Sequence, residues 1–120
     1  MNFLDELKER KKSVELKEIN IKPKELAIRD FELLEYGNFA INVRADFGSY
    51  CTPRETLEKL NKYKEMEFAI VRGKKFLTVT DVLPTFTKLQ EIEKYNSKVY
   101  GYVPVDLIQE LYEELNRVYR

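Results

Sequence analysis

Apolar and polar residues alternate most clearly between residues 39 and 47. A period of two is typical of a β-strand that buries one face. The two residues before this stretch, Gly37 and Asn38, both tolerate positive φ and favour a tight turn. The pattern therefore predicts a strand that is entered through a hairpin turn. Its inward-facing positions are Phe39, Ile41, Val43, Ala45 and Phe47.

The segment before this turn, residues 26–36, is consistent with two structures. Pro23 near its start and Gly37 after its end are residues that commonly flank a helix. Phe31 and Tyr36, however, would face the following strand across the turn. We therefore expect a long, bent strand here rather than a helix.

Residues 52–64 carry both the start signal and the periodicity of a helix. Thr52 and Glu55 have the spacing of a capping box, and Pro53 would occupy the first helical position, where its missing N–H costs nothing. The apolar residues that follow recur on one helical face. Together they predict a helix over residues 53–64. These apolar residues are Leu57, Leu60 and Tyr63.

Cys51, the only cysteine, lies just ahead of this predicted helix. A thiol at a helix N-terminus can have a lowered pKa and act as a nucleophile. The chain has no histidine and no second cysteine to activate it. We therefore interpret Tyr50 and Cys51 as a short strand, with Cys51 as a buried, inert side chain.

Two apolar runs, residues 68–71 and 76–82, flank the sequence RGKK. A short loop with glycine between two such runs predicts a β-hairpin. After it, helices are expected over residues 85–95 and 104–119, with a short extended piece at 99–103 between them.

The N-terminal residues 2–12 predict a short amphipathic helix capped by an asparagine. Residues 13–21 alternate with one slip of phase, which indicates a bulged strand or a connecting arm. We thus expect one domain of 120 residues in three parts. These are an N-terminal helix and arm (1–25), a β core (26–82) and C-terminal helices (83–120).

Composition narrows the possible functions. The 21 basic and 21 acidic residues give zero net charge, so nucleic acid would have to be bound by a local basic patch. Without histidine, and with no carboxylate pair in a recognisable motif, we expect neither catalysis, nor a metal site, nor a cofactor. No apolar stretch is long enough to span a membrane and no signal peptide is recognisable, so we expect a cytoplasmic protein that does not bind membranes.

A family resemblance rests on two stretches, IRDFELLEYGNFAINVRADFGSYCT and EFAIVRGKKFLTV. They resemble the small single-stranded-DNA-binding proteins of phages and plasmids, which have the OB fold. In these proteins a DFE…YG.FA hairpin, a G.YYT turn, a helix and a V..GKKY.T hairpin recur. The predicted order of strands and helix over residues 26–82 is also that of the five-stranded OB barrel. The resemblance implies a small antiparallel OB-like barrel or curved sheet with a capping helix. With the two C-terminal helices, which lie outside the resemblance, we expect an α+β protein.

The resemblance also implies where a single strand of nucleic acid, DNA or RNA, would bind. OB folds use their second and third strands and their hairpin loops, where aromatic rings stack on bases beside basic residues. Tyr50 and Phe76 fit a core position as well as a stacking platform, and a basic turn is commonly just solvated. The residues so placed are Tyr36, Asn42, Arg44, Tyr50, Arg72, Lys74, Lys75 and Phe76.

A second function is consistent with the same sequence. The neutral charge and the late tyrosines favour a small protein-interaction or inhibitor module with no affinity for nucleic acid. The last helix carries an apolar face that is wider than one core contact needs, so we expect a homodimer through it, although the helix could instead pack wholly on its own sheet. The residues expected in that interface are Leu107, Leu111, Tyr112, Leu115 and Tyr119.

Overall fold

One antiparallel β-sheet organises the chain. The computed structural model describes residues 1–10 and 29–120, which form an α+β fold. The helices are α1 (Phe3–Glu6), α2 (Val79–Val82), α3 (Leu89–Glu93) and α4 (Val105–Tyr119), and a 3-10 turn covers Leu60–Lys62. The strands are β1 (Leu34–Glu35), β2 (Ala40–Arg44), β3 (Glu65–Arg72), β4 (Lys75–Leu77) and β5 (Tyr100–Pro104).

The eight-residue strand β3 is the centre of the sheet. β2 pairs with one edge of β3, and β1 pairs with β2. The other edge of β3 is shared, because β4 pairs with its end and β5 with its beginning. Over the described residues the sheet is open, so of the expected OB-like barrel or curved sheet the barrel is not formed. The sheet also reaches beyond the predicted β core, since β5 lies at residues 100–104.

Both predicted hairpin turns are confirmed. Gly37 and Gly73 have φ of 77° and 60°, a conformation that glycine adopts without steric cost. The predicted strand at residues 26–36 is assigned only at β1, although Phe31 forms an isolated bridge with Glu9. Residues 26–28, like the predicted arm at 13–21, lie outside the described part.

The prediction of a helix at residues 53–64, which was to be the capping helix, is wrong. Thr52 is held in a bridge with Glu65, and its hydroxyl donates to Glu65 Oε1 at 2.5 Å. The residues after Thr52 form a loop whose backbone is held by Tyr63. The Tyr63 hydroxyl accepts from the Leu57 N–H at 2.7 Å and donates to the Glu55 carbonyl at 2.5 Å. These contacts replace the hydrogen bonds of a helix. The predicted strand at Tyr50–Cys51 is also absent, because the bridge forms at Thr52 instead.

The predicted strand over residues 76–82 is interrupted after Leu77. Thr78 caps α2 through a capping box with Asp81, which turns the chain into a helix. The helix expected over 85–95 is shorter, as α3 covers Leu89–Glu93. The extended piece expected near 99–103 is present as β5.

The last helix, α4, lies where the sequence predicts it and covers one face of the sheet. Its apolar side chains join those of β1, β2 and β3 in the core. Leu107, Leu111, Tyr112 and Leu115 are at most 3% exposed, so their burial within the chain leaves them unavailable for the expected dimer interface. Tyr119 is the exception at 43% exposure. A dimer through α4 would therefore be confined to the end of the helix, near Val118 and Tyr119.

The first helix, α1, is shorter than the predicted residues 2–12, but the Asn2 side chain caps it as expected. Phe3 anchors it to the core. Arg120, at the other end of the sequence, holds both carboxylate oxygens of Glu6 at 2.7 Å. Among the described helices, none has the length and apolar character to cross a bilayer.

Candidate functional site

The sheet turns one face to the core and a second face away from it. Residues paired across an antiparallel sheet lie on the same face, and alternate residues of a strand share a face. Asn42 pairs with Ala69, Arg44 with Glu67, and Val71 with both Ala40 and Phe76. The face defined by these residues is called the second face below. Its members are Ala40, Asn42, Arg44, Glu67, Ala69, Val71 and Phe76.

Among the described residues, two polar groups on the second face lack hydrogen-bond partners. Asn42 Oδ1 and Arg44 Nε are buried and have no hydrogen-bond partner in the part of the chain that the structure describes. Another nitrogen of Arg44 lies 3.4 Å from Asp46 Oδ2, and the Arg44 side chain is 35% exposed. Buried polar groups without partners are uncommon in folded proteins. Arg44, whose side chain is partly exposed, is therefore a candidate to donate to a ligand, whereas the Asn42 oxygen is shielded from solvent.

Asp46 fixes the loop that follows β2. Its carboxylate accepts from the Arg29 N–H at 3.0 Å, the Gly48 N–H at 2.9 Å and the Ser49 hydroxyl at 2.8 Å. Burial by itself would raise the pKa of Asp46, but the hydrogen bonds from Arg29 and Ser49 and the nearby Arg44 charge outweigh it, and the pKa is lowered. A carboxylate held in its charged form thus orders the turn that presents Tyr50.

Tyr50 and Tyr102 form an exposed aromatic pair at one end of the second face. Their ring centroids are 5.7 Å apart, and the side chains are 46% and 41% exposed. The Tyr102 N–H donates to the Tyr50 carbonyl at 2.8 Å, and the Tyr50 N–H donates to Glu67 Oε1 at 3.1 Å. The pair is therefore fixed by its backbone to β5 and β3, not only by ring contact.

Three further features mark the surroundings of this pair. A Cβ on Gly101 would lie 2.9 Å from the Tyr50 Cβ, so only glycine permits this approach. Tyr102 itself has φ of 55°, in the left-handed region that non-glycine residues rarely adopt. The Arg54 guanidinium lies 5.3 Å from the centre of the Tyr50 ring, a cation–π contact. We call Tyr50, Tyr102 and Arg54 the tyrosine platform.

The structure brings together half of the predicted nucleic-acid-binding residues. Asn42, Arg44 and Phe76 share the second face, and Tyr50 lies at its end through the contact with Glu67. Phe76 is 68% exposed, so it is not a core residue.

The basic residues of the RGKK turn lie elsewhere. Arg72 pairs with Lys75, one position out of phase with the Val71–Phe76 pair, so both belong to the opposite face of the hairpin. Lys74 is exposed within the turn. These three side chains are therefore displaced from the tyrosine platform.

Tyr36 is not a stacking platform. It is 2% exposed, stacks on Phe39 at 5.7 Å, and donates its hydroxyl to Asn116 Oδ1 at 2.9 Å. Burial raises its pKa above the usual value. The prediction for Tyr36 is wrong because the residue closes the core between β1 and α4.

Tyr102 and Arg54 were not predicted as site residues. Tyr102 belongs to a group of late tyrosines whose spacing carries no signal of its own. Its position depends on an irregularity of pairing between β3 and β5, around Met66 and Phe68. Arg54 lies in the loop over residues 53–59, where the sequence predicts a helix.

Cys51 is buried, as the sequence predicts, with 1% of its surface exposed. Burial raises the pKa of its thiol, which opposes a role as nucleophile. Within residues 1–10 and 29–120, no three acidic or cysteine side chains converge as metal ligands would.

Comparison with models of known protein families, with curated proteins and with solved structures found no match for this chain. The resemblance to single-stranded-DNA-binding proteins thus stays a prediction from the sequence. Any function has to be argued from the site itself.

Proposed function

We propose that the protein is a non-enzymatic, single-stranded nucleic-acid-binding protein, of the kind carried by phages and other mobile elements, and that the second face and the tyrosine platform bind the strand. The observation that supports this most is the exposed, backbone-fixed pair of Tyr50 and Tyr102. Exposed rings that are held rigid offer stacking surface to bases at a small entropic cost, and each stacked base contributes about 1–3 kcal/mol.

The charges near the platform determine how much contacts to phosphates can contribute to the binding affinity. Arg54 contacts the Tyr50 ring, and Arg44 pairs across the sheet with Glu67, whose carboxylate accepts the Tyr50 N–H. Glu65 lies two residues before Glu67 on β3. With about two phosphate contacts, the slope of log affinity against log salt would be about −1.4, from about −0.7 for each contact with a single strand. Stacking, not charge, would then provide most of the affinity, which is consistent with a chain of zero net charge.

The second candidate function is a protein-interaction module. Tyrosine and arginine are enriched at the energetic centres of protein interfaces. An acidic residue such as Glu67 repels a polyanion, which favours a protein partner. A protein partner would use the same exposed rings.

Titration of labelled oligo-dT with the protein at about 50 mM salt, followed by fluorescence anisotropy, separates the two candidates. We expect binding that Tyr50→Ala and Tyr102→Ala each weaken by about fivefold or more. Tyr119→Ala is the matched control, since Tyr119 is also about half exposed but lies on α4. Absence of binding by the wild-type protein would leave the interaction module as the better interpretation.

A further inference from the structure

A groove opens on the second face where β4 ends and β5 begins. The last residue of β4, Leu77, pairs with Ile70, and the first residue of β5, Tyr100, pairs with Phe68. Ala69, between these two partners, therefore forms the floor of a gap along the edge of β3. The groove has a volume of about 170 Å³.

The walls of this groove combine an aromatic ring with polar groups. Phe76 stands on one side, 68% exposed. The turn at 96–98 forms the other side, where an Asn96–Tyr100 bridge and a 2.9 Å hydrogen bond from the Ser97 N–H to the Val99 carbonyl fix the backbone. The Lys98 side chain, at the rim, is exposed to solvent. The chemistry offered is a flat apolar surface, amide and hydroxyl groups, and one cation.

We propose that this groove is a second base site for the strand that occupies the tyrosine platform. One base stacks on Phe76 and its edge hydrogen-bonds to Asn96 and Ser97, while Lys98 contacts the adjoining phosphate. Asparagine amides bond base edges, and aromatic rings stack on any base. This inference rests on the proposed function, because it assigns part of the same strand to a second position.

The position of the groove supports continuity with the platform. Glu67, which accepts the Tyr50 N–H, and Ala69, the floor of the groove, are two residues apart on β3 and on the same face. At about 3.3 Å per residue, Glu67 and Ala69 lie about 7 Å apart along β3. A nucleic-acid strand that stacks on the platform therefore has a short path to the groove.

The test is anisotropy with oligo-dT of about ten nucleotides, within the usual range for a small domain. Ser97→Trp fills the groove from its exposed rim, and Thr87→Trp is the matched control at an exposed position outside the lining. We expect Ser97→Trp to weaken binding about tenfold and Thr87→Trp to leave it unchanged. Equal affinities for the two variants would overturn the groove assignment, while weakening by Tyr102→Ala in the same experiment would keep the proposed function.

Two additional measurements make the result independent of how the tryptophan packs. Lys98→Gln should reduce the salt slope by about 0.7, whereas Lys62→Gln, which removes an exposed charge on the 3-10 turn, should not. Thymidine monophosphate alone should bind far more weakly than the oligonucleotide. Binding of the free nucleotide as tight as that of the strand would contradict a strand subsite, and absence of any oligonucleotide binding by the wild type would contradict both proposals.

Discussion

Tyr102 combines an exposed ring with a backbone conformation that is costly for its residue type. A non-glycine residue in the left-handed region costs about 1–2 kcal/mol relative to its ordinary conformation. The exposed pair that Tyr102 forms with Tyr50 contributes about 0.5–1.5 kcal/mol. These two effects nearly cancel, so stability alone gives little reason for a tyrosine at this position. Local strain of this kind is often found at functional sites.

Replacing Tyr102 with glycine should therefore separate stability from binding. We expect Tyr102→Gly to change the free energy of unfolding by less than about 1 kcal/mol, because relief of the left-handed strain offsets the lost ring contact. The same variant should bind oligo-dT at least about fivefold more weakly. Urea unfolding measures the free energy of unfolding, and fluorescence anisotropy measures the affinity for oligo-dT. A variant that binds like the wild type would remove Tyr102 from the site.

Asp46 makes the stability of the platform loop depend on pH. Its pKa is lowered in the folded protein from an ordinary value of 3.8, so the folded state favours the charged carboxylate. The stabilisation is fully present above pH 3.8 and is lost as the pH falls through the lower pKa of the folded state. We expect Asp46→Asn to lower the free energy of unfolding at neutral pH by about 1–3 kcal/mol.

The variant should also lose part of the acid dependence that the wild type shows. Urea unfolding between about pH 2 and pH 7 measures this, since the difference between the two proteins should shrink once the pH falls below 3.8. Glu6, whose pKa is lowered mainly by its hydrogen bonds to Arg120, titrates in both proteins and provides the common background. A difference that stays constant over this range would contradict the role assigned to the Asp46 charge.

At the residue scale, alternation along β2 is sufficient to place Asn42 and Arg44 on one face. It does not place Tyr102, because the register of β3 against β5 shifts between Met66 and Phe68. A bulge changes which side chains lie opposite each other on neighbouring strands, and no local pattern in the sequence predicts it. The prediction for Tyr36 is wrong because a position beside a hairpin turn does not reveal that a distant helix covers it.

At the element scale, two segments have the spacing of a capping box but differ in outcome. Thr52 and Glu55 have the expected spacing but form no helix, whereas Thr78 and Asp81 cap α2. The Thr52 hydroxyl is engaged by Glu65, thirteen residues away. Pairing with β3 thus overrides a local signal, as tertiary contacts commonly do. The hairpins and α4 are predictable because turn chemistry and periodicity agree there with the tertiary contacts.

The loop that replaces the predicted helix depends on one hydroxyl group. Tyr63→Phe leaves the Leu57 N–H and the Glu55 carbonyl without this partner, and we expect a loss of about 1–3 kcal/mol in the free energy of unfolding. Tyr50→Phe is the matched control, since it removes a hydroxyl from a half-exposed ring. Urea unfolding midpoints compare them. Equal stability of both variants would mean that other contacts hold residues 53–59.

At the scale of the whole molecule, α4 and the sheet divide the chain into a covered face and a second face. The wide apolar surface of α4 packs into the core of its own chain. The sequence pattern alone does not distinguish this packing from a subunit interface. Over the part of the chain that the structure describes the sheet is open, because β4 and β5 share one edge of β3 and neither pairs with β1. The α+β class follows from the sequence pattern, but the arrangement of β5 does not, since it joins strands more than thirty residues apart.

Amide chemical shifts of the isotopically labelled protein, recorded while unlabelled oligo-dT is added at about 50 mM salt, test the central claim most directly. The account predicts that the largest changes occur at Arg44, Tyr50, Glu67 and Tyr102, with smaller ones at Ser97 and Lys98 around the groove. Residues buried under α4, such as Leu111, should change little. No change anywhere at saturating oligonucleotide, or changes confined to the end of α4, would contradict binding through the second face.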